Sequence, residues 1–231
     1  MSDGGYDRLA VWYPLLETAM FGRRLSQTRR DSAAFFVEHL QTPRSICLLG
    51  DGRGQMTRWL SECWRHAEGV CIDRSDRMLQ RQRRRVSPRS SNHWRFVHTD
   101  ILRLAAEDDT TLGAFAADII VMPMFADCFT AEALSHVLRW CDRTLSSCGA
   151  IAWLDFCGGR SPGHRWKIWA MHRWFGWVTD LPNRELVDMH DVFTRSGFVV
   201  RASRTHQDGL LQSRIYRRSN HDTTSGTSRS A

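Results

Sequence analysis

From about residue 45 to residue 216, short apolar runs alternate with stretches whose apolar positions recur at helical spacing. Central strands of a parallel sheet, buried on both faces, read as continuous apolar runs, and the crossover helices that cover them carry a single apolar stripe. The runs Ser45–Leu49, Gly69–Ile72, Trp94–His98, Asp118–Met122 and Gly149–Phe156 therefore predict five strands. Helices are expected through Met56, Trp59, Leu60 and Cys63, over Asp76–Arg85 and over Ala131–Leu145. Phe198–Ala202 and Leu210–Tyr216 read as two last strands, preceded by a helix around Arg184–Arg195. The fold class expected is α/β, a doubly wound, Rossmann-like, mostly parallel seven-stranded sheet with flanking helices.

The flanking segments differ in texture. Residues 7–40 predict two helices, with Leu9, Trp12, Tyr13, Leu16 and Met20 on one face of the first. Residues 1–44 are thus expected to pack on a main domain spanning 45–218. Within that domain a glycine- and proline-rich loop at 158–163 leads to a tryptophan-rich stretch, with Trp166, Trp169, Trp174 and Trp177 close to helical spacing. That stretch predicts a helical lid over about 158–183. Residues 219–231 are polar without apolar pattern and read as a disordered tail.

Composition changes this picture little. The chain has 231 residues, 42% hydrophobic and 25% charged, ordinary for one globular α/β domain. No apolar run approaches the roughly 20 residues that span a bilayer. The opening Met1-Ser2-Asp3-Gly4-Gly5 lacks the basic and apolar regions of a signal peptide, so a cytoplasmic location is expected. Seven cysteines without a C-x-x-C pair argue against a disulfide framework and a zinc site, and no metal is expected; Cys128 is the best candidate for a reactive thiol. The net charge is +7, almost entirely from arginine, and is densest at Arg81, Arg83, Arg84, Arg85 and Arg89. Those cations sit at a predicted helix end, where they complement the helix dipole. Peripheral membrane contact stays open, and the oligomeric state is not determined.

The chemistry begins where the first strand runs into Gly50-Asp51-Gly52-Arg53-Gly54 and a helix follows. Glycines at a strand end let the backbone turn sharply and approach a ligand without a Cβ in the way. Gln55 stands where a dinucleotide fingerprint needs its third glycine, which disfavours a pyrophosphate-bearing cofactor and suits one without phosphates. The second strand ends in Asp73, whose carboxylate can accept both ribose hydroxyls of an adenosine, or else cap the helix that follows. Past the third strand, Asp100 is placed to accept the adenine amino group, with Ile101 packing on the ring.

On these motifs the stretch from Ser45 to about Tyr216 resembles the class I S-adenosylmethionine-dependent methyltransferase family. Within it, the chain is most similar to a bacterial subgroup that shares its Asp127-Cys128-Phe129 and Trp153-Leu154-Asp155-Phe156 segments. The resemblance implies S-adenosylmethionine as cofactor, held by Gly50, Asp51, Gly52, Gly54, Asp73, Arg74, Asp100, Ile101 and Met122. Leu48 departs from the pattern, since many members carry there an acid that orients the cofactor's amino acid end; Asp51 is the expected substitute.

Methyl transfer is an in-line displacement, so a base is needed only to take a proton from a hydroxyl or amine acceptor. Asp127 and Asp155, after the fourth strand and at the end of the fifth, are the expected catalytic residues as candidates for that base, with His164 and His172 as further candidates. The aromatic residues Phe125, Phe129 and Phe156 and the tryptophan stretch suggest a small, apolar or aromatic acceptor. Nucleic acid is disfavoured, because Met122-Pro123-Met124-Phe125 lacks the polar residue and paired prolines of amino-methylating DNA enzymes. Two other readings stay open: a methyltransferase-fold binding or scaffold protein without turnover, and a nicotinamide oxidoreductase.

Overall fold

The computed structural model describes residues 24–90, 93–106, 112–157 and 189–219. Helix α1 covers 24–39. It is followed by β1 (Ser45–Leu49), α2 (Gln55–Cys63), β2 (Glu68–Asp73), α3 (Asp76–Arg83), β3 (Trp94–His98), α4 (Ile101–Ala106), β4 (Ala117–Pro123) and α5 (Ala131–Thr144). Then come β5 (Leu145–Phe156), α6 (Met189–Arg195), β6 (Phe198–His206) and β7 (Leu211–Arg218). The expected first N-terminal helix, the tryptophan-rich lid with His164 and His172, and all but the first residue of the expected tail lie outside the described residues.

The strands form one seven-stranded sheet in the order β3-β2-β1-β4-β5-β7-β6. β1 to β5 pair in parallel, while β7 runs antiparallel to both β5 and β6. The expected fold class is therefore the observed one, closed at one edge by an antiparallel hairpin.

Alternation along the strands sorts their side chains to two cores. Cys47, Leu49, Val70, Ile72, Ile120, Met122, Ile151 and Trp153 face a layer with α4, α5 and α6. Ile46, Leu48, Cys71, Ile119, Val121, Ala152 and Leu154 face the layer of α1, α2 and α3. Helix starts are defined by polar caps: the Ser75 side chain accepts the Met78 N–H at the start of α3, and Thr130 accepts Ala133 N–H at the start of α5.

Three elements depart from the apolar pattern. β5 begins four residues before the apolar run, because Ser146, Ser147 and Cys148 extend the strand as polar backbone held by side chains. Ser146 Oγ donates to Asp118 Oδ1 (2.9 Å) and Arg218 Nη1 donates to the Ser146 carbonyl (2.8 Å). β6 likewise continues through the polar Ser203–His206 because each residue pairs with β7. Helix α4 is too short to show a periodicity; it starts where the Asp100 carboxylate accepts the Leu102 N–H (2.9 Å).

The N-terminal helix α1 docks on this hairpin. Arg204 of β6 bonds Glu38 (3.0 Å) and lies over the Phe35 ring, 4.8 Å from its centroid. Beside them the buried Ser213 Oγ donates to Ser32 Oγ (2.8 Å), and His206 Nε2 lies 2.8 Å from Ser213 Oγ. Among the described residues no helix is long and apolar enough to cross a membrane.

At the other edge, Gly69 of β2 faces Trp94 of β3 in register, and a Cβ on Gly69 would fall 2.2 Å from the indole. Gly69→Ala is expected to destabilise the fold by about 1–3 kcal/mol through overpacking. Urea unfolding checks it, and an unchanged midpoint would show that the ring yields.

Candidate functional site

β1 neighbours both β2 and β4, so the chain order reverses between β1 and β4. In open α/β sheets this reversal opens a crevice outside the carboxyl ends of the strands, where ligands bind. Gly50 stands at its base with φ +63°, a left-handed conformation, and a Cβ there would lie 2.4 Å from the Phe125 ring. No other residue fits that position without displacing Phe125. Gly54, also left-handed at φ +77°, closes the loop against α3, where a Cβ would meet the Gln82 Cα at 2.8 Å.

Asp51 is turned into the loop. Its Oδ1 accepts the Met56 N–H (3.2 Å), and its Oδ2 accepts the Thr57 N–H and Thr57 Oγ1, each at 2.6 Å. Burial pushes the Asp51 carboxyl up, while the Thr57 bonds and the nearby Arg29 guanidinium pull it down. With both oxygens engaged by the start of α2, Asp51 closes the turn and does not replace the acid that Leu48 lacks. Leu48 itself is buried among the side chains beneath α1 and α2. Helix α1 touches this turn: Arg29 Nη1 donates to Gln55 Oε1 (3.2 Å), and Gln55 Nε2 donates to Ser26 Oγ (2.7 Å).

Asp73 ends β2 beside the loop. Its Oδ1 accepts the Ser75 N–H (3.0 Å), and its Oδ2 accepts Gln82 Nε2 (2.9 Å). Burial pushes the Asp73 carboxyl up to about 6, against the pull of those donors. Gln82 Nε2 also donates to the Gly52 carbonyl (3.3 Å), which joins β2, the loop and α3. This residue carries no motif; the one signal in sequence is its place three residues after Leu79, on the inward face of a helix otherwise crowded with arginine.

At the tip of β3, Asp100 caps α4 and lies 3.7 Å from Arg74 Nη1, so two expected site residues meet across the β2 and β3 ends. Ile101 is buried beneath them. Met122 departs from its expected place: it has no exposed surface and packs in the core with Ile72 and Ile101. The residue that emerges at this edge is Met124, whose φ of +56° is left-handed for a non-glycine residue. Such backbone is held by its surroundings, here by the Met124 N–H on the Leu154 carbonyl (2.7 Å).

The two catalytic candidates separate. Asp155 is fully buried, with Oδ2 accepting the Ala126 N–H (3.0 Å) and Asp127 N–H (3.2 Å) and Oδ1 accepting the Phe156 N–H (2.9 Å). Burial pushes the Asp155 carboxyl up, and the neighbouring Asp127 adds to that. It ties the turn after β4 to the end of β5 and offers no face to a reactant, which corrects its expected role. Asp127 is half-buried in that turn. Cys128 is corrected as well: burial and the charges of Asp127 and Asp155 push its thiol up, away from the reactive thiolate. Phe125 and Phe129 pack edge to face at 4.9 Å, with Phe156 half-buried at the end of β5.

Asp155→Ala is expected to cost about 2–4 kcal/mol of stability, since three backbone N–H groups lose their acceptor. Thermal melts check this; a folded variant of unchanged stability would mean that the carboxylate does not hold the turn.

Comparison with known proteins places these features. Residues 46–149 match the family described as "Methyltransferase domain". No curated protein sequence matches the chain. Among solved structures, the mitomycin 7-O-methyltransferase MmcR is similar over 91% of this chain and 60% of its own, with TM-score 0.65 and 14% identity. CalO1, a methyltransferase in calicheamicin biosynthesis with bound SAH, is similar over 93% and 58%, with TM-score 0.61 and 17% identity. The SAH-bound magnesium protoporphyrin IX methyltransferase ChlM from Synechocystis PCC 6803 is similar over 86% and 84%, with TM-score 0.59 and 15% identity. At these identities the likeness is one of fold. The chain spans about 60% of the length of the first of these structures.

Proposed function

We propose that this chain, whose residues 46–149 match a methyltransferase domain, is a class I methyltransferase that binds S-adenosylmethionine across the tips of β1, β2 and β3 and methylates a small acceptor. One observation carries the reading: the Asp73 carboxylate stands at the tip of β2, next to β1, joined through Gln82 to a glycine loop with no pyrophosphate fingerprint. The residues present fit that cofactor. Asp73 keeps acceptor capacity for a ribose hydroxyl beside its protein donors, the Ser75 N–H (3.0 Å), Gln82 Nε2 (2.9 Å) and the Gly52 backbone, because its two oxygens offer about four lone-pair sites. Gly50 and Gly52 keep the backbone low enough for close approach, and Asp100 with Ile101 forms the adenine side.

When bound, S-adenosylmethionine supplies a methyl group on a positively charged sulfur. The residues of this chain then position and desolvate, because charge is dispersed as the methyl leaves. Asp127, at the turn after β4, is the candidate to take the proton of a hydroxyl or amine acceptor. Phe125, Phe129 and Phe156 support an apolar or aromatic acceptor, as does the likeness in fold to a mitomycin 7-O-methyltransferase and a magnesium protoporphyrin IX methyltransferase.

Calorimetry should show binding of S-adenosylmethionine and S-adenosylhomocysteine and none of NAD. Labelled methyl donor incubated with cell metabolites should then mark one species; retained binding without transfer would favour the scaffold reading, and NAD binding without donor binding would overturn the proposal. Asp73→Ala should weaken donor binding by about 1.5–3 kcal/mol, the worth of hydrogen bonds to a charged acceptor, in a variant that circular dichroism shows to be folded.

The pH dependence has a defined sign. The ionised carboxylate accepts the ribose hydroxyls, and folding raises Asp73 from 3.8 to about 6. Affinity is therefore full above that value and falls by roughly tenfold per pH unit below it. A flat titration between pH 5 and 8 would remove Asp73 from the site.

A further inference from the structure

Gln82 is fully buried in α3, although both of its sequence neighbours are arginines. Its amide nitrogen has two acceptors, Asp73 Oδ2 at 2.9 Å and the Gly52 carbonyl at 3.3 Å. Because both partners only accept, the orientation of the amide is fixed by chemistry; the reverse would set oxygen against oxygen. Its Oε1 is buried without a hydrogen-bond partner. A buried, unsatisfied amide oxygen is destabilising, and methionine or leucine would fill the same space without it. The amide is therefore explained by the two bonds that it donates. The backbone of Gln82 meets the same loop, since its Cα is what a Cβ on Gly54 would strike at 2.8 Å.

We propose that Gln82 is a positioning residue for the methyl donor, registering the Asp73 carboxylate against Gly52 so that ribose acceptor and glycine loop meet the nucleoside as one preformed unit. This rests on the reading of the site as an S-adenosylmethionine site. Three further observations support it. Asp73 takes neutral donors from Ser75 in its own turn, from Gln82 of α3 and from the Gly52 backbone, and Gln82 clamps the same contact from the other side by donating to the Gly52 carbonyl. The charged groups around Asp73 do not substitute for that donor. Asp51 raises its pKa, Arg74 is paired with Asp100, and His98, its register partner on β3, turns Nε2 to the Arg74 carbonyl. Just past α3, the Arg85 side chain lies against Gly54, where a Cβ would meet its Cδ at 3.4 Å.

The test is calorimetric titration of the full chain with S-adenosylhomocysteine from pH 5 to 8.5, for the unaltered protein, Gln82→Met and Gln82→Glu. Methionine preserves volume and removes the donor. Its midpoint for acid loss of binding should move upward by about half a pH unit or more, because the ionised carboxylate has lost one hydrogen bond. Its affinity at pH 8 should fall by about tenfold through lost registration. Glutamate sets a second carboxylate against Asp73 and should move the midpoint further in the same direction, which keeps the test decisive if the methionine variant fails to fold. In an Asp73→Asn background, Gln82→Met should leave the pH profile unchanged.

Binding by the folded variants with an unshifted midpoint overturns the inference, whether affinity is retained or falls equally at every pH, since a merely structural residue would behave in the second way. Failure of the unaltered protein to bind S-adenosylhomocysteine at any pH overturns the reading of the site and the inference with it.

Discussion

At the end of β1 the chain reverses through left-handed glycines into α2, and this turn leaves the first N–H groups of the helix without intrahelical acceptors. The Asp51 carboxylate takes the Met56 and Thr57 N–H groups and the Thr57 hydroxyl within a buried site. The rest of the edge is built on that closure. With α2 anchored, α3 can pack against Gly54, Gln82 can reach Gly52 and Asp73, and α1 can lie on Gln55 through Arg29 and Ser26. An open loop would remove the surface on which all three helices meet β1.

The same device recurs along the sheet edge. Asp155 holds Ala126, Asp127 and Phe156 by their N–H groups, and Asp100 holds Leu102. Carboxylates at strand ends are ready acceptors for backbone that leaves the sheet, so most acids of this edge are structural first. Asp73 differs in degree. It too has backbone and side-chain donors, but it stands at the tip of β2 beside the glycine turn, half-buried with its pKa raised to about 6. A group poised to change charge near neutral pH at a ligand crevice is a candidate for function on physical grounds.

Much of the architecture was legible in the sequence because its signals are local. Apolar runs marked the central strands, and Gly50 to Gly54 with Asp73 marked the crevice. The parts that escaped were the polar ones. Ser146–Cys148 and Ser203–His206 are strands because a neighbouring strand or side chain takes their backbone groups, and no periodicity within those residues records this.

The division of labour among the acids shows the limit most clearly. Sequence alone determined that acids end the second and fifth strands and that one stands inside the glycine loop. It could not decide which of them faces a ligand, because that depends on which oxygen has a backbone N–H within reach. Only the tertiary structure turned Asp51 and Asp155 inward, buried Met122 and gave its edge position to Met124. It also brought Gln82, separated from Gly52 by thirty residues of chain, onto the loop and the β2 tip together. Periodicity and caps are properties of neighbouring residues; the pairing of a donor with a distant acceptor is a property of the packed chain.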